Sequence, residues 1–308
     1  MYPLIAKIST TVRKLFALYG LRLWFAIGGL VAPRRAVVRA ARIFCTPMSS
    51  SRSRALAAPT FDAREERLAV DDHTITAYVW GDPQRQPYVL FAHGWSSHGT
   101  RVGAWLPRLR AAGYAVVAFD QPAHGRSPGE RATLPCFTRH LLAVGEHFGP
   151  AAVVIGHSLG GAATANALAR GMKAERAVLI APAADPVAAA ERFADLLWIG
   201  QRLSRRMFDY FESRIGITFE EQQAHRTAPV IGRPALIVHD LEDRDVPWSE
   251  GERYARYWPD SRLLTTRGLG HRRVLDDEAV IGAVMRFLRG ETVGERAVSS
   301  PNLPFGVA

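Results

Sequence analysis

The chain reads as an α/β protein: a doubly wound, mostly parallel sheet with a small helical cap. Three observations predict this. Short continuous apolar runs recur from residue 88 onward, the segments between them have helical character, and one interval of about fifty residues breaks the alternation.

The runs are Tyr88–Ala92, Ala115–Phe119, Ala152–Ile155, Ala177–Ile180 and Ala235–Val238. Unbroken apolar strands of this length suit positions buried on both faces of a parallel sheet. Thr74–Trp80 alternates instead, as an antiparallel edge strand does, and Arg262–Thr266 is a further strand. Helices are expected near 101–112, 133–148, 159–171 and 276–289, linked to the strands by right-handed crossovers. On such a sheet, ligands bind beyond the carboxyl ends of the strands. The irregular interval lies between Ile180 and Ala235 and is too long for a simple strand-to-helix connection. Of its aromatic residues, among them Phe193, Trp198, Phe208 and Phe211, most are expected to pack the cap itself and some to face an apolar substrate.

The resulting organisation is a basic, apolar extension and linker over residues 1–58, a main domain over 59–292 with its cap near 183–232, and a tail over 293–308. The net charge of +10 belongs to the extension. Residues 1–61 hold ten Lys/Arg and no acidic residue, so the remainder is formally neutral and offers no nucleic-acid footprint. Leu15–Ala32 is apolar apart from Arg22. The arginine and the following Arg34–Arg35 oppose a cleaved export signal, and a central arginine is costly in a membrane span. Two readings stay open: a peripheral membrane contact through residues 1–45, or packing on the domain as a pair of helices. The location implied is cytoplasmic, with the inner membrane face as the site of any contact. Pro33 begins the second helix, with Val37, Val38, Ala41 and Phe44 on one face, and Ser49–Arg54 reads as a linker. Cys45 and Cys136 are too few for a disulfide framework.

The chemistry concentrates at Gly156-His157-Ser158-Leu159-Gly160. It fits G-x-S-x-G directly between a strand and a helix, where a sharp turn exposes the serine hydroxyl and flanking side chains would clash. A serine hydroxyl is a weak nucleophile and needs a base. Of ten histidines, His271 alone falls late enough, in a loop after a strand. The acid should follow the strand Ala235–Val238, where Asp240, Asp243 and Asp245 compete and spacing does not separate Asp243 from Asp245.

His93-Gly94-Trp95, Gly156–Gly161, His239–Pro247 and Gly268–His271 resemble, in this order, the corresponding blocks of α/β-hydrolase fold enzymes over roughly residues 60–290. The resemblance implies Asp243 as the acid, fourth after the histidine of an H-G-x-x-D-x-x-V-P block. Asp240 departs from the family pattern by standing where glycine is usual. Asp120–Ser127 is similar to the family's D-x-x-G-x-G-x-S loop, with Ala123 in place of a glycine and His124 in a supporting role. The oxyanion hole implied is the backbone N–H groups of Trp95 and Leu159, with His93, Gly94, Gly156 and Gly160 shaping the turns and His157 packing. Dehalogenase and epoxide-hydrolase chemistry needs an aspartate at position 158. What remains is a serine hydrolase that cleaves esters of a small-molecule acyl substrate, with no metal or organic cofactor implied. The alternatives are an aminopeptidase or amidase of the same superfamily, which would need a carboxylate cluster such as Glu212, Glu220 and Glu221, and a catalytically silent membrane-associated binding protein.

Overall fold

A computed structural model describes residues 2–297. The described residues fall into two units, one formed by 1–45 with 186–219 and the other by 46–185 with the chain from 220 onward.

The larger unit is built on one eight-stranded sheet. Its strands are β1 (Arg64–Val70), β2 (His73–Trp80), β3 (Tyr88–Ala92), β4 (Ala115–Asp120), β5 (Ala151–His157), β6 (Ala174–Ile180), β7 (Ala235–Asp240) and β8 (Ser261–Thr266), in the order β1-β2-β4-β3-β5-β6-β7-β8. β1 and β2 pair antiparallel, as do β2 and β4; every other neighbour is parallel. The central strands are buried on both faces because successive side chains alternate. Tyr88, Leu90 and Ala92 join one apolar cluster, while Val89 and Phe91 join the other.

The first face is covered by α5 (Leu134–Phe148), α6 (Leu159–Ala169), the short α9 (Ala224–Thr227) and α10 (Trp248–Tyr257). The second is covered by α4 (Leu106–Ala111), the 3-10 turn Gly99–Trp105 before it, and α12 (Glu278–Leu288). α11 (Gly270–Arg273) is a single turn beyond β8. The expected edge strand 74–80 is therefore second from the edge, because β1 pairs outside it. β1 begins Arg-Glu-Glu-Arg and only Leu68 and Val70 are buried, so its sequence lacks the alternation that betrays a strand. Ser49–Arg54, expected as linker, lies in the helix α3 (Ser49–Ala57). Ser51 Oγ donates to the Met48 carbonyl at its start, and Arg52 donates to the Ser127 carbonyl, which ties the helix to the loop after β4. At the far edge Glu295 exchanges two backbone hydrogen bonds with Leu263 of β8, so the tail is paired there; residues 298–308 lie outside those described.

The smaller unit is helical: α1 (Tyr2–Val31), α2 (Pro33–Phe44), α7 (Pro186–Leu196) and α8 (Gln201–Ile215). α1 ends at Val31, and Ala32, with φ −141° and ψ 61°, turns the chain before Pro33 opens α2. Phe25, Ala36, Val37, Ala40 and Ala41 share one apolar cluster with Ala190, Leu203, Met207 and Phe211. The extension and the insertion thus build one core from segments far apart in sequence. Phe44 packs edge-on against Phe193 with ring centroids 5.0 Å apart, and Phe208 against Phe219 at 4.8 Å. Most of these aromatics go into that core; Trp198 is exposed. Val38, expected on the packed face of α2, is exposed, and Ala36 and Ala40 are buried instead. No helix among the described residues is long and apolar enough to cross a membrane.

Candidate active site

Ser158 lies between the last residue of β5 and the first of α6, with φ 56° and ψ −121°. A side chain held at positive φ is strained, and such strain persists only where the surroundings enforce it. Here they do. At Gly160 a Cβ would run into the Ala92 carbonyl of β3, and at Gly156 it would lie 2.5 Å from Thr164 Oγ1. The turn closes only with glycine at both positions, and it leaves Ser158 Oγ at the carboxyl end of the sheet.

Three side chains converge there. His271 Nε2, in α11, lies 2.9 Å from Ser158 Oγ, and His271 Nδ1 lies 2.7 Å from Asp243 Oδ2. The Asp243 side chain is fully buried, and its Oδ1 accepts the backbone N–H groups of Asp245 and Val246, both at 2.9 Å. Burial alone would raise the Asp243 carboxyl pKa. Hydrogen bonds from His239, His271 and the Val246 N–H outweigh it and hold the carboxyl well below its usual range. Of the three carboxylates left open by spacing, Asp243 alone reaches His271. Asp245 sits on the surface 3.9 Å from Arg272.

Leu159 opens α6, so its N–H has no acceptor within that helix and stands at its positive end. Trp95 follows Gly94 in the turn after β3. A Cβ on Gly94 would lie 2.8 Å from Ser158 Cβ and 3.1 Å from the His157 carbonyl, so this turn runs directly against the serine elbow. Two buried histidines brace it. His93 Nε2 accepts the Gln121 N–H at 3.0 Å and its Nδ1–H donates to the Gly94 carbonyl at 2.7 Å. His124 Nε2 accepts the Ser96 N–H at 3.0 Å while its Nδ1–H donates to the Pro122 carbonyl. Burial drives both toward the neutral form, His124 down to about 4. Each ring therefore keeps the lone pair that holds the turn.

A family model described as serine aminopeptidase S33 matches residues 83–213. A probable esterase of Oryza sativa is 32% identical over 164 residues, which span 49% of this chain and 59% of that protein. A pimeloyl-[acyl-carrier protein] methyl ester esterase of Xanthomonas campestris is 25% identical over 244 residues, 66% of this chain and 95% of the relative. The solved structure of mouse alpha/beta hydrolase domain-containing protein 10 superposes with a TM-score of 0.59 at 20% identity, covering 74% of this chain and 98% of that one. The chain has the α/β-hydrolase fold.

Within this α/β-hydrolase frame three further residues hold the site, and sequence reasoning did not assign them that work. His157, expected only to pack, donates from Nε2 to the backbone carbonyl of His271 at 2.9 Å, and burial followed by the proximity of His271 pushes it down to about 3. His239 donates from Nε2 to the Val246 carbonyl at 3.0 Å and lies 3.4 Å from Asp243 Oδ2. Asp240 accepts Thr266 Oγ1–H at 2.8 Å and the Leu269 N–H at 3.0 Å on Oδ2, and the Glu242 N–H at 3.0 Å on Oδ1. The signal available for Asp240 was its departure from the glycine usual in the family. Nothing in the sequence singled out His157, because its partner is 114 residues away and is a main-chain atom. No group of three or more His, Cys, Asp or Glu side chains among the described residues is arranged to hold a metal ion.

Proposed function

We propose that this α/β-hydrolase is a serine hydrolase that cleaves carboxylic esters through an acyl-enzyme, with Ser158 as nucleophile, His271 as general base and acid, and Asp243 as the partner of the imidazole. The observation that carries the reading is the continuous chain of contacts from Ser158 Oγ through His271 to Asp243, at 2.9 and 2.7 Å. Ser158 Oγ attacks the ester carbonyl carbon as its proton passes to His271 Nε2. The negative charge on the carbonyl oxygen is met by the N–H groups of Leu159 and Trp95. Collapse breaks the C–O bond to the alcohol, which leaves with the proton from His271. Water then enters, gives a proton to the same nitrogen and adds to the acyl carbon, and collapse returns that proton to Ser158 as the acid departs. Asp243 keeps Nδ1 protonated, so Nε2 carries the free lone pair at the start of each half-reaction.

Relatives described as esterases support the ester, and the description of the matching family model supports an aminopeptidase as second reading. That reading needs carboxylates free to receive a substrate ammonium. Glu212 instead accepts the Phe219 N–H at 3.0 Å, and Glu220 is ion-paired with Arg226. The experiment is a panel of acyl esters of graded chain length beside aminoacyl amides, run on the wild type and on Ser158→Ala. Ester turnover and labelling by a fluorophosphonate are expected for the wild type and lost in the variant. Amide turnover without ester turnover would move the assignment to the aminopeptidase, and an unlabelled wild type would leave a catalytically silent protein.

A further inference from the structure

The helical unit collects two properties that the sheet unit lacks. It carries thirteen Lys/Arg against four Asp/Glu, which is +9 of the chain's net +10. It also displays most of the chain's large exposed apolar side chains. Phe16, Tyr19, Leu23, Ile27 and Leu30 of α1 are exposed, Leu30 to 86%, and Trp198 beside them is exposed to 53%. The spacing of three, four, four and three residues puts the five on one helix face, a stripe about 21 Å long at 1.5 Å per residue. A stripe of this kind on an otherwise folded surface is an interaction site.

Arg22 is the one charged residue in 15–31 and is tied down at the flank of that face. Its Nε donates to the Leu196 carbonyl at 2.8 Å and the group lies over the rings of Tyr19 and Trp198, 5.3 and 4.9 Å from their centroids. Residues 15–31 add no other charged side chain to the face. At the end of the stripe the chain enters α2 through Arg34 and Arg35, both exposed. Apolar face, flanking arginines and a strong positive balance are what the interface of an anionic bilayer binds, whereas a protein partner or a second copy of this unit would have to offset the same positive charge.

We infer that the outer face of α1, with Trp198, docks this protein on the surface of a membrane containing anionic lipids, its apolar side chains entering the headgroup–acyl boundary and Arg34 and Arg35 meeting the headgroups. This inference is independent of the proposed chemistry at Ser158. The test is co-sedimentation of the full chain with vesicles of phosphatidylcholine alone and of phosphatidylcholine with about 30% phosphatidylglycerol, a content that sets the attractive surface potential. The wild type is expected to bind the anionic vesicles at least about tenfold more tightly, and to release as salt screens the charge. Leu23→Glu with Ile27→Glu should weaken binding to the anionic vesicles by about tenfold or more, since two apolar contacts are lost. Arg34→Ala with Arg35→Ala should erase most of the preference for anionic lipid. Both positions are exposed, so circular dichroism and thermal midpoints should match the wild type. Wild type that stays in the supernatant with anionic vesicles would overturn the inference. So would a dimer in sedimentation velocity that the glutamate pair dissolves while vesicle binding is unchanged.

Discussion

Asp240 is a position where this chain departs from the α/β-hydrolase pattern, and its removal has a calculable consequence. The carboxylate is fully buried and receives Thr266 Oγ1–H, the Leu269 N–H and the Glu242 N–H, with the Gly270 N–H also directed at it. Two of these lie on the segment that leads from β8 into α11, where His271 sits. Asp240→Ala leaves three part-buried donors without their acceptor, each toward the low end of about 1–3 kcal/mol because water can reach them, so a loss of roughly 3 kcal/mol is expected. That is a large share of the about 5–15 kcal/mol that keeps a domain folded, and still short of unfolding most domains. Asp240→Asn keeps one acceptor oxygen and should recover about half of the loss. Burial pushes the Asp240 carboxyl pKa up, but hydrogen bonds from Gly270, Thr266, Leu269 and Glu242 outweigh it and leave the pKa below its ordinary value. A carboxyl depressed in the folded state contributes its stability above its unfolded pKa and loses it as pH falls through the folded value, so the difference from wild type is fully present at neutral pH. The assay is urea unfolding at pH 7 alongside ester kinetics. A merely structural role would lower stability alone. Positioning of His271 should also lower kcat by about tenfold with KM nearly unchanged, and Asp240→Asn should restore part of it. An Asp240→Ala protein within about 0.5 kcal/mol of wild type, with equal kcat, would refute the reasoning.

Two other outcomes follow from the geometry. Asp243→Asn should fold normally yet lose about 10⁴ in kcat, because an amide at that position stabilises the wrong tautomer of His271; ester turnover with enzyme folding checked by circular dichroism measures it. Stability should also fall on mild acidification. His124 and His157 are buried, with folded pKa values of about 4 and about 3 against roughly 6.5 when unfolded, so the unfolded chain binds more protons throughout that window and ΔG of unfolding declines as pH drops. Between pH 6.5 and 5 the two together should remove up to about 4 kcal/mol, and Phe at either position should flatten the urea-derived profile by about half of that.

The strands of the central sheet were legible because burial on both faces demands unbroken apolar runs, and residues 88–92 need no neighbour to declare themselves. The serine elbow was legible for a related reason: Gly156 and Gly160 are dictated by backbone contacts a few residues away or one strand over. β1 was not, since it is an edge strand whose ladder with β2 asks nothing of the exposed Arg64 and Glu65. α3 was not, because Ser and Arg serve a linker as readily as a helix, and what orders it is Arg52 meeting the Ser127 carbonyl 75 residues on. Spacing stopped at three carboxylates for the same reason, for only the path of the loop decides which one turns back to His271. Arg22 is the sharpest instance. Within its own segment it reads as a charge spoiling an apolar helix, and only the Leu196 carbonyl, 174 residues away, shows what holds it. A charged residue is thus read correctly only once its partner is known, and in this fold such partners lie beyond the reach of any local pattern.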